Sequence, residues 1–212
     1  EKTKIPMQAN PMIVFSLITQ ALGRKKIMTV TSALFPYMLC VFSLYVFAAA
    51  NLTLRFEFDT LLTSLAMLLM GVGLAGASAY LVEPLNNRFS RKNIMIIVTS
   101  LFCILICLFI IVPWGYGALC LMLPAGILHG IGYPTMLTAY SKTVTSKEQG
   151  WVMGFATSTF TIAASIISFL GGQLSSSVSP SAPFQLAIFS GLLAVVAIMY
   201  GWNLYESKEL EI

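Results

Sequence analysis

Val82-Glu83-Pro84-Leu85-Asn86-Asn87-Arg88-Phe89-Ser90-Arg91-Lys92-Asn93 is a polar island with a proline, three basic residues and adjacent asparagines, set between two long apolar runs. Such a stretch serves as a binding motif, as a catalytic loop or as a wet connection between membrane helices. Composition decides among them. Of 212 residues, 58% are hydrophobic and 9% charged, against the roughly 25% charged residues of soluble domains. A transmembrane helix needs about 20 mostly apolar residues. Six windows qualify: Met28–Ala50, Thr60–Val82, Ile94–Val112, Ala118–Tyr140, Gly150–Gly172 and Gln185–Tyr205. The island is the connection between the second and third, and an all-α membrane protein of six transmembrane helices is expected.

The net charge is +4, but placement says more than the sum. Lys2, Lys4, Arg24, Lys25, Lys26, Arg88, Arg91, Lys92, Lys142, Lys147 and Lys208 fall on one side of a six-span arrangement, and Arg55 alone on the other. The positive-inside rule makes the basic side cytoplasmic, with both termini there. No nucleic-acid partner is needed to explain these cations. Residues 1–26 read as a cytoplasmic linker, 27–205 as the six-helix bundle and 206–212 as a cytoplasmic tail. Within the linker, "NPMIVFSLITQALGRKK" offers Asn10 as a cap, Pro11 for the first turn and Gly23 as a stop, which fits an interfacial amphipathic helix. No cleavable leader is visible, and with Glu1 rather than methionine at its start the chain is open to being either a fragment or a separate half, which length alone does not decide.

Cys40, Cys103, Cys107 and Cys120 all lie within apolar spans and read as small buried hydrophobes. With no histidine or carboxylate on the span of Cys103 and Cys107, neither a metal nor a cofactor is expected. "GVGLAG", Gly71 to Gly76, has the spacing of a dinucleotide fingerprint but sits mid-span, without the strand and helix start which that chemistry requires. Helix packing or a flexible point explains it better. Asn51-Leu52-Thr53 is a glycosylation sequon by pattern, abutting the end of the first span, and is read as chance.

The third and sixth windows carry few polar residues and are expected to face lipid around much of their circumference. The fifth differs. Gly150, Gly154, Thr157, Thr161, Ser165, Ser168 and Gly172 recur at steps of three and four, a small hydroxyl-bearing stripe on one helix face. Close helix packing and the wall of a wet cavity both use such residues. No Asp, Glu, Lys or Arg lies centrally in any span, and no nucleophile, base and orienting group form a recognisable set, so the chain does not read as an enzyme. His129, the single histidine, lies halfway along the fourth span with Tyr133, Met136 and Tyr140 on its face and Pro124 and Pro134 nearby. An ionisable residue at membrane depth marks substrate contact or proton sensing, or else a neutral ring bonded to a neighbouring helix.

With a cytoplasmic loop between the second and third spans, Glu83 to Lys92 resembles the G-x-L-a-D-R-x-G-R-K signature of the major facilitator superfamily, in the weaker form of its second half. Leu85, Arg88, Arg91 and Lys92 are in register, while Glu83, Asn87 and Ser90 depart from the usual Gly, Asp and Gly. "LHGIGYPTMLTAYSKTVTSKEQGWVMGFATSTFTIAASIISFLGG" is similar to the tenth and eleventh helices of tetracycline-efflux-like and other drug/proton antiporters. The resemblance covers all six spans and implies the C-terminal half of a twelve-helix facilitator. It implies partners as well: an N-terminal six-helix half, the lipid bilayer, a small-molecule substrate and protons. The first, second, fourth and fifth spans would line a central cavity, with Tyr37, Ser64, Met67, His129, Tyr133, Thr157 and Thr161 as candidate cavity residues. Glu83, Asn87, Arg88, Arg91 and Lys92 would form the conformational-switch loop. The implied function is secondary active transport by alternating access, as proton-coupled efflux across a bacterial inner membrane. Nutrient or siderophore uptake, a passive facilitator, and a self-contained six-span channel or scaffold are the alternatives.

Overall fold

The computed structural model describes Thr19 and residues 21–206, with side chains as far as Trp202. Most of the expected interfacial helix, and the tail after Glu206, lie outside the described residues. The described chain forms α1 (Lys25–Phe56), α2 (Thr60–Tyr80), the short α3 (Val82–Arg88), α4 (Arg91–Ile111), α5 (Gly115–Ser141), α6 (Gln149–Ser177) and α7 (Ala182–Glu206), with a 3-10 turn at Ser146–Glu148 before α6. All but α3 are long and apolar enough to cross a membrane. The six spans are where the apolar windows put them.

The first span is longer than its window. At about 1.5 Å per residue, its 32 residues reach well beyond a hydrocarbon layer of roughly 30 Å, so both ends stand in the headgroup zones. It stops at Glu57, whose backbone turns left-handed (φ 55) and whose N–H returns to Thr53 O at 3.1 Å. Asp59 then caps α2 by accepting from Leu62 N at 2.8 Å. Ser90 caps α4 in the same way, through Asn93 N at 3.3 Å. At the far end of α4, Arg55 of α1 donates to Phe109 O at 3.0 Å and Val112 O at 2.5 Å. A cation thus satisfies carbonyls that a helix C-terminus leaves orphaned and complements its dipole.

The main packings come in matched pairs: α2 against α5 answers α6 against α1, α1 against α7 answers α5 against α4, and α4 meets α7. Exchanging the first three spans with the last three preserves this scheme, as an inverted repeat requires. Between α2 and α5 the backbones almost touch. A Cβ at Gly126 would run into Met70 O, one at Gly130 into Leu74 O, and one at Gly73 into Leu123 O. Gly126 and Gly130 are four residues apart, the close-approach spacing of membrane helix pairs. Gly71 and Gly76, by contrast, have open space beside them, so of the "GVGLAG" glycines Gly73 does the packing.

Proline is accommodated at the same contact. Pro134 has no N–H for the carbonyl four residues back, Gly130 O. Ser78 Oγ of α2 donates to that oxygen at 2.9 Å, and α5 continues as one helix to Ser141.

The polar island is more ordered than a wet connection. Val82–Arg88 forms α3, with Glu83 in its first turn and Arg88 in its last, the charge order that a helix dipole favours. Glu83 makes no ion pair with Arg88 or Arg91. The described basic residues other than Arg55 lie at helix ends that the up-and-down course brings to one end of the bundle. There Arg24 pairs with Glu148 at 2.6 Å and sits over the Trp151 ring at 4.9 Å.

The third and sixth spans, α4 and α7, bury about half of each span window and leave the rest facing outward, against 22% buried for α2 and 28% for the span containing α6. Low polarity marks the outer stripe of α4 (Ile97, Leu101, Ile104, Leu108), while its other face fills the core with Met95, Phe102 and Phe109. Cys40 and Cys103 are buried, but Cys107 and Cys120 are exposed.

Asn51 is 5% exposed, and its Nδ2 donates to Pro180 O at 3.5 Å. A glycosyltransferase needs a surface loop, so expression in a glycosylating host should leave the intact mass of the Asn51 peptide unchanged. A glycan found there by mass spectrometry would contradict this packing.

Candidate functional site

A cavity of about 430 Å³ lies where α1, α2, α5 and α6 converge, the first, second, fourth and fifth spans. Phe42 comes from α1, Leu74 from α2, His129 and Tyr133 from α5, and Thr157, Phe160, Thr161 and Ala164 from α6. Helical periodicity produces this convergence: His129 and Tyr133 are one turn apart on α5, as are Thr157 and Thr161 on α6.

A relay of edge-to-face rings backs the wall. Tyr45 meets His129 at 4.9 Å between centroids, His129 meets Tyr133 at 5.8 Å, Tyr133 meets Phe160 at 5.0 Å, and Phe160 meets Phe42 at 5.3 Å. Each such pair contributes about 0.5–1.5 kcal/mol beyond area burial, which holds the lining in one arrangement. His129 is 7% exposed and its Nδ1 is buried without a hydrogen-bond partner, as is the Tyr45 hydroxyl. An unsatisfied buried polar atom costs about 1–3 kcal/mol, and such atoms in a native protein call for an explanation such as a functional role.

The stripe on α6 faces away from this chain's own core. Gly150, Gly154, Thr157, Thr161, Ser165, Ser168 and Gly172 are all exposed, and a Cβ at Gly150, Gly154 or Gly172 would meet nothing within 4 Å. Its hydroxyls donate back along the helix: Thr157 to Met153 O at 3.0 Å, Thr161 to Thr157 O at 3.1 Å and Ser165 to Thr161 O at 2.8 Å. Their oxygens are thereby left as outward acceptors. Close packing among the described helices is not what this stripe does. The inward face of α6 uses Val152, Ala156, Ala163 and Gly171 instead.

Of the seven candidate cavity residues, His129, Tyr133, Thr157 and Thr161 come together. Tyr37 is 1% exposed and off the cavity, its hydroxyl lodged against Gly132. Ser64 and Met67 line a separate cleft of about 510 Å³ with Asp59 and Thr63, near the start of α2. Glu83, Asn87 and Arg88 are exposed, and Arg91 and Lys92 half-buried, at the basic end. Phe42, Tyr45 and Phe160 were not legible as site residues. Phe160 lies one turn from Thr157 and could have been found that way, but Phe42 and Tyr45 look like any aromatic pair on an apolar span.

The family model for the Major Facilitator Superfamily matches residues 30–211. No curated protein matches the chain. Six apolar spans, packed as an inverted repeat around a cavity walled by the first, second, fourth and fifth, together with a family match over most of its length, mean that the chain belongs to the major facilitator superfamily of membrane transporters.

Proposed function

We propose that this chain is the C-terminal half of a secondary active transporter that exports a small organic solute in exchange for protons, with the cavity at His129 as its share of the substrate site. One observation carries the reading: the unpartnered His129 sits in a ring-walled cavity whose Thr157 and Thr161 face outward from the bundle. The exposed stripe of α6 and the exposed face of α2, with Leu65, Leu68 and Val72, are where the N-terminal six-helix half packs. Substrate is held between the halves, and their rocking alternates access. Arg88, Arg91 and Lys92 at the basic end serve as the conformational-switch loop in this reading.

The test is His129→Gln in the full-length transporter. Glutamine keeps an amide donor and acceptor but does not stack as a ring against Tyr45 and Tyr133. Transport is expected to fall about tenfold, some 1.4 kcal/mol. Undiminished transport would remove His129 from the mechanism. Residues 1–212 alone, reconstituted in liposomes, are expected to drive no uptake.

A further inference from the structure

At the end of the bundle opposite the basic loops, a second cavity of about 410 Å³ opens between the end of α1, the end of α4 and the start of α7, lined by Asn51, Arg55, Ser181 and Phe184 among others. Among the described residues Arg55 is the one cation at this end. It is exposed and makes no ion pair, and it spends two of the five N–H donors of a guanidinium on the α4 carbonyls. Three donors remain on a rigid fork of the shape that binds phosphate oxygens. Beside it, Asn51 is 5% exposed and its Oδ1 accepts no hydrogen bond, an acceptor left for a donor that the described residues do not supply.

A second feature lies along two of the same helices. Between the same two helices, α4 and α7, a groove of about 420 Å³ runs toward mid-membrane past Ile104, Leu108, Ile188 and Leu192. Ile104, Leu108 and Leu192 are exposed on the outer surface, away from the α2 and α6 faces. Phe184 lines the pocket and Ile188, one turn along the same helix, lines the groove, so a cationic pocket at headgroup height and an apolar trough on the outer wall stand one above the other and match the two ends of one kind of molecule.

We propose that this is a phospholipid site. The phosphodiester binds the free N–H groups of Arg55 together with the Ser181 hydroxyl. A headgroup donor, such as the ammonium of phosphatidylethanolamine or a hydroxyl of phosphatidylglycerol, satisfies Asn51 Oδ1, and an acyl chain lies in the α4–α7 groove. The headgroup of phosphatidylcholine has no such donor and binds less well. The site is independent of the His129 cavity, so either reading can fail without the other.

The full-length protein, reconstituted in vesicles of phosphatidylethanolamine and phosphatidylglycerol and then delipidated in detergent, is expected to retain one phospholipid by native mass spectrometry. From phosphatidylcholine vesicles retention should be at least about tenfold lower, and Arg55→Gln should lower it similarly. Because Arg55 also caps α4, Leu192→Trp provides a second variant: it fills the groove from its exposed side, leaves the cap intact and should also displace the lipid. Glycerol 3-phosphate, which carries the charge without the chain, should not compete. Undiminished retention in Leu192→Trp would overturn the proposal. So would equal retention of phosphatidylcholine, or competition by glycerol 3-phosphate, which would assign the pocket to a free phosphate ester.

Discussion

Gly126→Leu is expected to abolish folded protein. The Cβ position of Gly126 points at Met70 O, a backbone atom of α2 that cannot rotate away, so even Gly126→Ala must push two helices apart. Overpacking costs about 1–3 kcal/mol where side chains can adjust. Against backbone, the alanine variant should lie at the top of that range and lower the unfolding midpoint in detergent by several degrees. Gly71→Ala supplies the opposite sign: nothing stands within 4 Å of its Cβ position, and replacing a mid-helix glycine gains up to about 1 kcal/mol of helix propensity. A Gly126→Ala protein as stable as wild type would mean that α2 and α5 are farther apart than described.

Thr161→Phe is expected to stop transport while leaving the bundle intact. Thr161 is exposed, lines the His129 cavity and donates only to its own helix at Thr157 O, so its replacement breaks no contact between helices. A phenyl ring there occupies a large part of the 430 Å³, and transport should fall well beyond tenfold, a loss of more than about 1.4 kcal/mol in substrate binding. In residues 1–212 alone, where Thr161 is at the surface, the unfolding midpoint should stay within a degree or so of wild type, since surface changes stay within about 0.5 kcal/mol. Full transport by this variant would place the substrate elsewhere, and the cleft at Ser64 and Met67 would be the next region to probe.

The spans were legible because hydrophobic length is a one-dimensional property: a window of apolar residues must become a helix in lipid, where every backbone polar group needs an internal partner. Facing is harder to read. In water a helix buries its apolar side, but in a bilayer both sides are apolar, so the polarity of α4 and α7 could not reveal that half of each is core. The small-residue stripe of α6 was visible at once, yet its direction was not, since glycines that admit a neighbouring backbone (Gly126, Gly130) and glycines that face outward (Gly150, Gly154) are identical in sequence. The Gly126–Gly130 spacing is as plain in the sequence as "GVGLAG", and nothing in either run says which glycines meet a neighbouring backbone. His129 was found because ionisable groups are rare at that depth. Tyr45, which meets its ring, and Phe42, which meets Phe160, carry no such mark.

The bond from Ser78 to Gly130 O makes the unbroken course of α5 past Pro134 conditional on its neighbour. A proline leaves a carbonyl without its helical donor. Here the oxygen that Pro134 leaves vacant is held by a hydroxyl on a different helix, one residue from His129. If α2 slides by the length of a hydrogen bond, that carbonyl is orphaned at a cost of about 1–3 kcal/mol, and α5 is free to flex beside the cavity. The contact works as a detent: small enough to release, stiff enough to hold, and placed so that the position of one helix governs the freedom of the next.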